Sequence, residues 1–127
     1  MPIETTYHEA ENLRHHVLTG KFNGQELIEQ VKQTYAAPGF VLRARSIWDV
    51  SRADVSEVTR DELRVLASFI QGAWRDTSDL RAAFVTGSDL NFGMARMYEQ
   101  LQGVYQEDSI RVFREAEPAW EWVCGRS

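Results

Sequence analysis

Two helix-start signatures, each following a stretch with strand periodicity, constrain this chain more than any other feature. Asn23-Gly24-Gln25-Glu26 and Thr59-Arg60-Asp61-Glu62 both fit a capping box. In that motif the first side chain accepts a hydrogen bond from the fourth backbone N–H, and the fourth side chain accepts one from the first backbone N–H. A hydrophobic staple flanks each box, Phe22 with Leu27 and Val58 with Leu63. Upstream of the first box, Ile3–His8 alternates with a strand period, Leu13–Thr19 follows as a second strand, and the polar Glu9-Ala10-Glu11-Asn12 turn between them makes a hairpin. Between the boxes, Phe40–Val50 alternates again.

The remaining segments continue that rhythm. Leu27, Ile28, Val31 and Tyr35 form the inner face of the first helix, which Pro38-Gly39 ends. Leu63, Leu66, Ala67, Ile70, Ala73 and Trp74 form that of the second. Arg81–Thr86 reads as a short strand followed by a turn at Gly87. A third helix begins near Asn91, with Met94, Met97, Tyr98 and Leu101 facing inward. Ile110–Arg114 is a last strand, and Pro118 suits the first turn of a final helix with Ala119, Trp120 and Val123 inside and Trp122 off that face. The expected order is β-β-α-β-α-β-α-β-α. This is an α/β fold with a mostly parallel five-stranded sheet, in one domain over residues 1–127. Arg43 and Arg45 lie on the second face of the Phe40–Val50 strand, whereas a strand covered by helices on both sides is apolar throughout. Helices are therefore expected mainly on one face.

Five stretches together resemble the SpoIIAA-like proteins, small bacterial relatives of the STAS domains. They are Ile47-Trp48-Asp49-Val50, Arg81-Ala82-Ala83-Phe84-Val85, Phe92-Gly93-Met94-Ala95-Arg96-Met97-Tyr98-Glu99, Ile110-Arg111-Val112-Phe113-Arg114 and Ala119-Trp120-Glu121-Trp122-Val123. The resemblance spans nearly the whole chain and implies a right-handed βα superhelix and a regulatory or binding role without a shared enzyme activity. Phosphorylated relatives carry an Asp-Ser-Ser-Gly-type turn before a helix. This chain departs from it with Asp54-Val55-Ser56-Glu57, so a phosphoswitch would need Ser51 or Ser56.

Composition narrows the function classes. A net charge of −5 argues against a nucleic-acid footprint. The lone Cys124 forms no internal disulfide, which suits a reducing, cytoplasmic setting, and no Cys/His cluster has zinc spacing. His15 and His16, as strand neighbours, point to opposite faces and make poor co-ligands. No signal segment and no membrane span is expected, and no cofactor is implied.

Ligands of parallel sheets gather beyond the carboxyl ends of the strands. That rule selects Asp49, Ser88, Asp89, Gly93 and Arg96 as the candidate ligand or partner site. The structural counterpart is that Ser88, Asp89 or Asn91 caps the third helix, Gly93 permits close packing and Arg96 pairs with Asp49 or Asp89. Arg43, Arg45, Arg111 and Phe113 form a mixed arginine and apolar face suited to an interface, here a homodimer. The sequence reads as a non-enzymatic regulatory or binding module for a protein partner or a small, lipid-like ligand. The alternative is a small enzyme working near Asp49, Ser88 and Arg96.

Overall fold

The capping boxes form as their spacing requires. Asn23 Oδ1 accepts from Glu26 N at 2.8 Å and Glu26 Oε1 from Asn23 N at 3.1 Å. Thr59 Oγ1 accepts from Glu62 N at 3.2 Å and Glu62 Oε1 from Thr59 N at 2.9 Å. All four staple residues are buried. The computed structural model describes residues 2–73, 80–106 and 109–125, with backbone only for 102–106. Trp74 of the expected second-helix face lies outside the described residues.

The elements run β1 (Ile3–His8), a single 3-10 turn (Glu9–Glu11), β2 (Leu13–Asn23), α1 (Gly24–Ala36), β3 (Arg45–Glu57), α2 (Arg60–Ala73), β4 (Ala82–Val85), α3 (Asp89–Gln106), β5 (Ile110–Phe113) and α4 (Ala116–Val123). The five strands form one sheet in sequence order. β1 and β2 make the antiparallel hairpin and every later pairing is parallel. Asn12 closes the hairpin in the left-handed region at φ 51° and also anchors the approach to β3. Its Nδ2 donates to the Arg43 carbonyl, and its own carbonyl accepts from Arg45 N.

Three helices cover one face, as expected. Leu27 and Val31 of α1, Leu63, Leu66, Ala67 and Ile70 of α2 and Tyr98 of α3 pack with Leu18, Trp48, Ala82 and Ile110 of the sheet. The other face is not left open. There α4 packs Ala119, Trp122 and Val123 over Leu13, Ile47, Ala83 and Val85. The inner face of α4 therefore corrects the sequence reading: Trp122 is buried and Trp120 only partly so.

The largest departure concerns β3. Residues 40–44 lead into the strand instead of forming its start, and the strand continues seven residues past the expected Val50 end, to Glu57. Its extension crosses two register shifts against β2. Val17 and Thr19 oppose Asp49 and Arg52, and Lys21 and Asn23 oppose Asp54 and Glu57. At each shift β3 carries one extra residue, which is a β-bulge. Both bulges fall on the same tripeptide. Asp49 Oδ1 accepts from Ser51 N and Oγ at 2.9 and 2.6 Å, and Asp54 Oδ1 from Ser56 N and Oγ at 3.0 and 2.7 Å. The carboxylate satisfies the donor that the bulge removes from the ladder. Asp54-Val55-Ser56-Glu57 is thus a bulged strand end and not a turn before a helix.

β4 pairs with β3 only over Ser46–Asp49, so the edge of β3 beyond Asp49 lacks a strand neighbour on that side. The buried Asn91 of α3 fills the gap, its Nδ2 donating to the carbonyls of Val50 at 2.8 Å and Ala53 at 3.0 Å. Gly87, at φ +71°, lies so close that an added Cβ would stand 2.9 Å from Ser51 Cβ. At the other end of the bulged strand, Gly24 opens α1 directly against the carboxylate of Glu62. Replacing Asn91 by Ala leaves two strand carbonyls without this donor. We expect a loss of about 1–3 kcal/mol, read as a lower urea midpoint at unchanged m-value.

Candidate functional site

The strand-end residues do not converge. Asp49 faces the α4 side, where its charge acts on His15, and its carboxylate is engaged by Ser51. Ser88 is the helix cap, its Oγ accepting from Asn91 N at 3.1 Å. Asp89 pairs with Arg114, whose guanidinium also lies 4.3 Å from the Phe92 ring centre. Arg96 reaches neither aspartate. It pairs with Glu99 at 3.1 Å along the exposed side of α3. Gly93 is exposed, and an added Cβ there would meet nothing within 4 Å, so close packing does not explain it.

The arginine face is likewise redistributed. Trp122 sits between two guanidinium groups, Arg81 at 5.0 Å and Arg111 at 5.3 Å from its ring centre, and Phe113 packs against it at 5.9 Å. Arg111 and Phe113 therefore hold α4 on the sheet. Arg43 is exposed in the segment before β3, and Arg45 is half-buried at the strand's start. The adjacent histidines do point to opposite faces. His15 lies edge-on to Trp120 at 5.3 Å, with His8 beside it, and His16 is buried under the three helices. Among the described residues no group of three or more metal-ligating side chains comes together.

Two features of the three-helix layer stand out instead. The first is an apolar cavity of ≈ 90 Å³ between sheet and helices. Its walls include Leu18, Val31, Trp48, Ile70, Met94 and Tyr98, and Asn91 contributes an amide side chain. The second is a buried polar cluster. Arg14 is 1 % exposed, His16 0 % and Ser46 0 %. Arg14 and Ser46 are direct neighbours in the β2–β3 register. Arg14 Nη1 donates to His16 Nε2 at 3.1 Å. Because a guanidinium only donates, His16 carries its proton on Nδ1 and donates it to Thr5 Oγ1, 2.8 Å away. The imidazole stacks on Trp48 at 3.8 Å, and the guanidinium lies 4.4 Å from the ring centre of Phe40.

Burial, then the Arg14 charge and then His15, push the His16 pKa down from 6.5 to about 2. Burial also lowers the Arg14 pKa, with the Tyr35 hydroxyl opposing it. His16 is thus a neutral acceptor and gives Arg14 no counter-charge. Among the described residues, Arg14 Nε, Arg14 Nη2 and Ser46 Oγ have no hydrogen-bond partner, and Arg14 forms no ion pair. The strand-end rule overlooked this cluster. A signal was present, since Arg14 and His16 share the inward face of their strand with Leu18.

The His16 pKa has a definite consequence for stability. Below pH 6.5 the unfolded chain binds a proton at His16 that the folded chain refuses until about pH 2. Stability is therefore fully present above the unfolded value and falls as pH drops through that window, by about 1.4 kcal/mol per pH unit for one such group. Urea unfolding at pH 7 and pH 5 should differ by roughly 2 kcal/mol from this group. His16→Gln should flatten the dependence, and an unchanged slope would remove His16 as its source.

No family model matches the sequence, and no curated protein matches it. Among solved structures it is similar to an uncharacterized protein from the DUF3478 family with a SpoIIAA-like fold from Shewanella loihica PV-4. The two share 12% identity, with 96% of this chain and 92% of that chain covered and a TM-score of 0.55. The hairpin, the in-order sheet and the helical layer described above thus make up a SpoIIAA-like fold.

Proposed function

We propose that this protein is a non-enzymatic binding module that holds a small apolar molecule, or the apolar part of a larger one, between its sheet and its three-helix layer. The observation that carries this reading is the cavity of ≈ 90 Å³ bounded by Leu18, Trp48, Met94 and Tyr98. Well-packed interiors contain few voids larger than a water molecule. An apolar void stays dry, and an engineered one of about 150 Å³ takes up benzene; the void here is smaller, so a guest of that size enters only as the walls repack. Met94 adds an adaptable wall, since thioether side chains repack readily around guests. Among the described residues the lining supplies no carboxylate, imidazole or thiol, and its polar groups include the Tyr98 hydroxyl and the Asn91 amide. A lipid-like guest fits this chemistry better than a polar substrate.

The test is calorimetric titration with short alkylbenzenes, on the wild type and on Ala95→Leu. Ala95 is a buried cavity residue on α3, and leucine there fills the void while keeping the helix. Saturable binding by the wild type, weakened at least tenfold in Ala95→Leu with thermal stability retained, is the expected result. Equal affinity for both proteins, or no saturable binding, would sink the reading.

A further inference from the structure

The polar cluster and the apolar cavity are adjoining parts of one layer. Ser46 lies between Arg14 and Ala82 in the sheet register, and Ala82 is a wall of the cavity. Trp48 is another wall, and its opposite neighbour is His16, the residue that holds Arg14 Nη1. Val31 lines the cavity, and Tyr35, one turn further along α1, lies 5.6 Å from the Arg14 guanidinium. A second space of ≈ 290 Å³ lies at the surface between β1 and the end of α1. It is lined in part by Thr5 and Phe40, the residues that contact His16 and Arg14. Phe40 is thus shared between the guanidinium and this groove.

A buried cation with no counter-charge is costly, and proteins normally pair such groups. Hydrogen bonding is also incomplete here: Nε and Nη2 of Arg14 form a donor edge, and both they and Oγ of its register neighbour Ser46 are without partners among the described residues. A guanidinium edge matches a carboxylate in geometry as well as charge, since two parallel N–H groups meet two oxygens.

We infer that Arg14, assisted by Ser46, binds the carboxylate of an amphiphilic ligand whose hydrocarbon chain occupies the apolar cavity. The inference rests on the binding reading above and names the ligand class: a chain ending in a carboxylate, with a fatty acid as the simplest member. Arg14 supplies the charge and the paired donors, and the Ser46 hydroxyl donates a further hydrogen bond. His16 positions the guanidinium by accepting from Nη1, and Thr5 fixes the tautomer in which it can do so.

The experiment compares octanoate, 1-octanol and acetate by calorimetry on the wild type, Arg14→Met and Ser46→Ala, with thermal melts of all three proteins. Methionine replaces the buried charge with an apolar side chain. Expected are octanoate binding at least tenfold tighter than octanol, acetate binding at least a hundredfold weaker than octanoate, and Arg14→Met reducing octanoate to the octanol level. Octanol affinity should stay within threefold in that variant, and Ser46→Ala should weaken octanoate severalfold. Equal affinity for octanoate and octanol in the wild type overturns the carboxylate assignment and leaves the apolar reading standing. Acetate binding as tightly as octanoate shows a free-anion site and overturns the chain-bearing ligand. No binding of octanoate or octanol overturns both readings. Should Arg14→Met fail to fold, Ser46→Ala decides, since unchanged octanoate affinity there overturns the assignment.

Discussion

The pairing of β2 with β3 is the constraint on which the helical layer depends. A strand with strict alternation would turn Trp48 and Ala53 to opposite sides. The bulge at Asp49-Val50-Ser51 shifts the phase by one residue, so Trp48, Ala53 and Val55 all contribute to the same core, and Val58 joins it beyond the second bulge. Each extra residue would leave backbone donors without a partner. The repeated Asp-x-Ser arrangement answers that need locally, without drawing on another element. β2 and β3 thereby stay together beyond the reach of β4 and bring α1 and α2 to adjacent starting points.

Against this apolar layer, Arg14 and Ser46 are an anomaly of composition and of hydrogen bonding. A protein selected for stability alone would place well-packed hydrocarbon at such positions, because replacing buried ionic groups with apolar ones of similar volume is often neutral or stabilising. Where a local rule is broken in the interior, function is the usual reason. The neutral His16 between Thr5 and Arg14 gives the cluster a defined orientation, and the stacked Trp48 connects it to the cavity wall. The same layer thus contains an oriented polar end and a hydrocarbon-lined end.

Much of this architecture was legible in the residues. The boxes at Asn23 and Thr59, the hairpin, the succession of helices and strands and the predominance of helices on one face all follow from local patterns. What was hidden depends on phase and tertiary context. The second half of β3 reads as polar and irregular because its bulges break the two-residue period on which strand recognition relies. Trp122 looked peripheral because helical periodicity alone cannot say which side of a short, aromatic-rich helix meets the sheet. Its burial follows from the arginines that flank it. The strand-end rule gathered Asp49, Ser88 and Arg96 on the expectation that the third strand ends at Val50. Because β3 continues and Asp49 turns toward α4, the same residues are scattered among a bulge, a cap and a surface ion pair.

The close approach of Gly24 to Glu62 has a mechanical consequence. The first residue of one helix rests on the side chain that caps the next, so neither terminus can fray without loosening its neighbour. The roof over the sheet is thus pinned at a common point, where β2 and β3 end side by side.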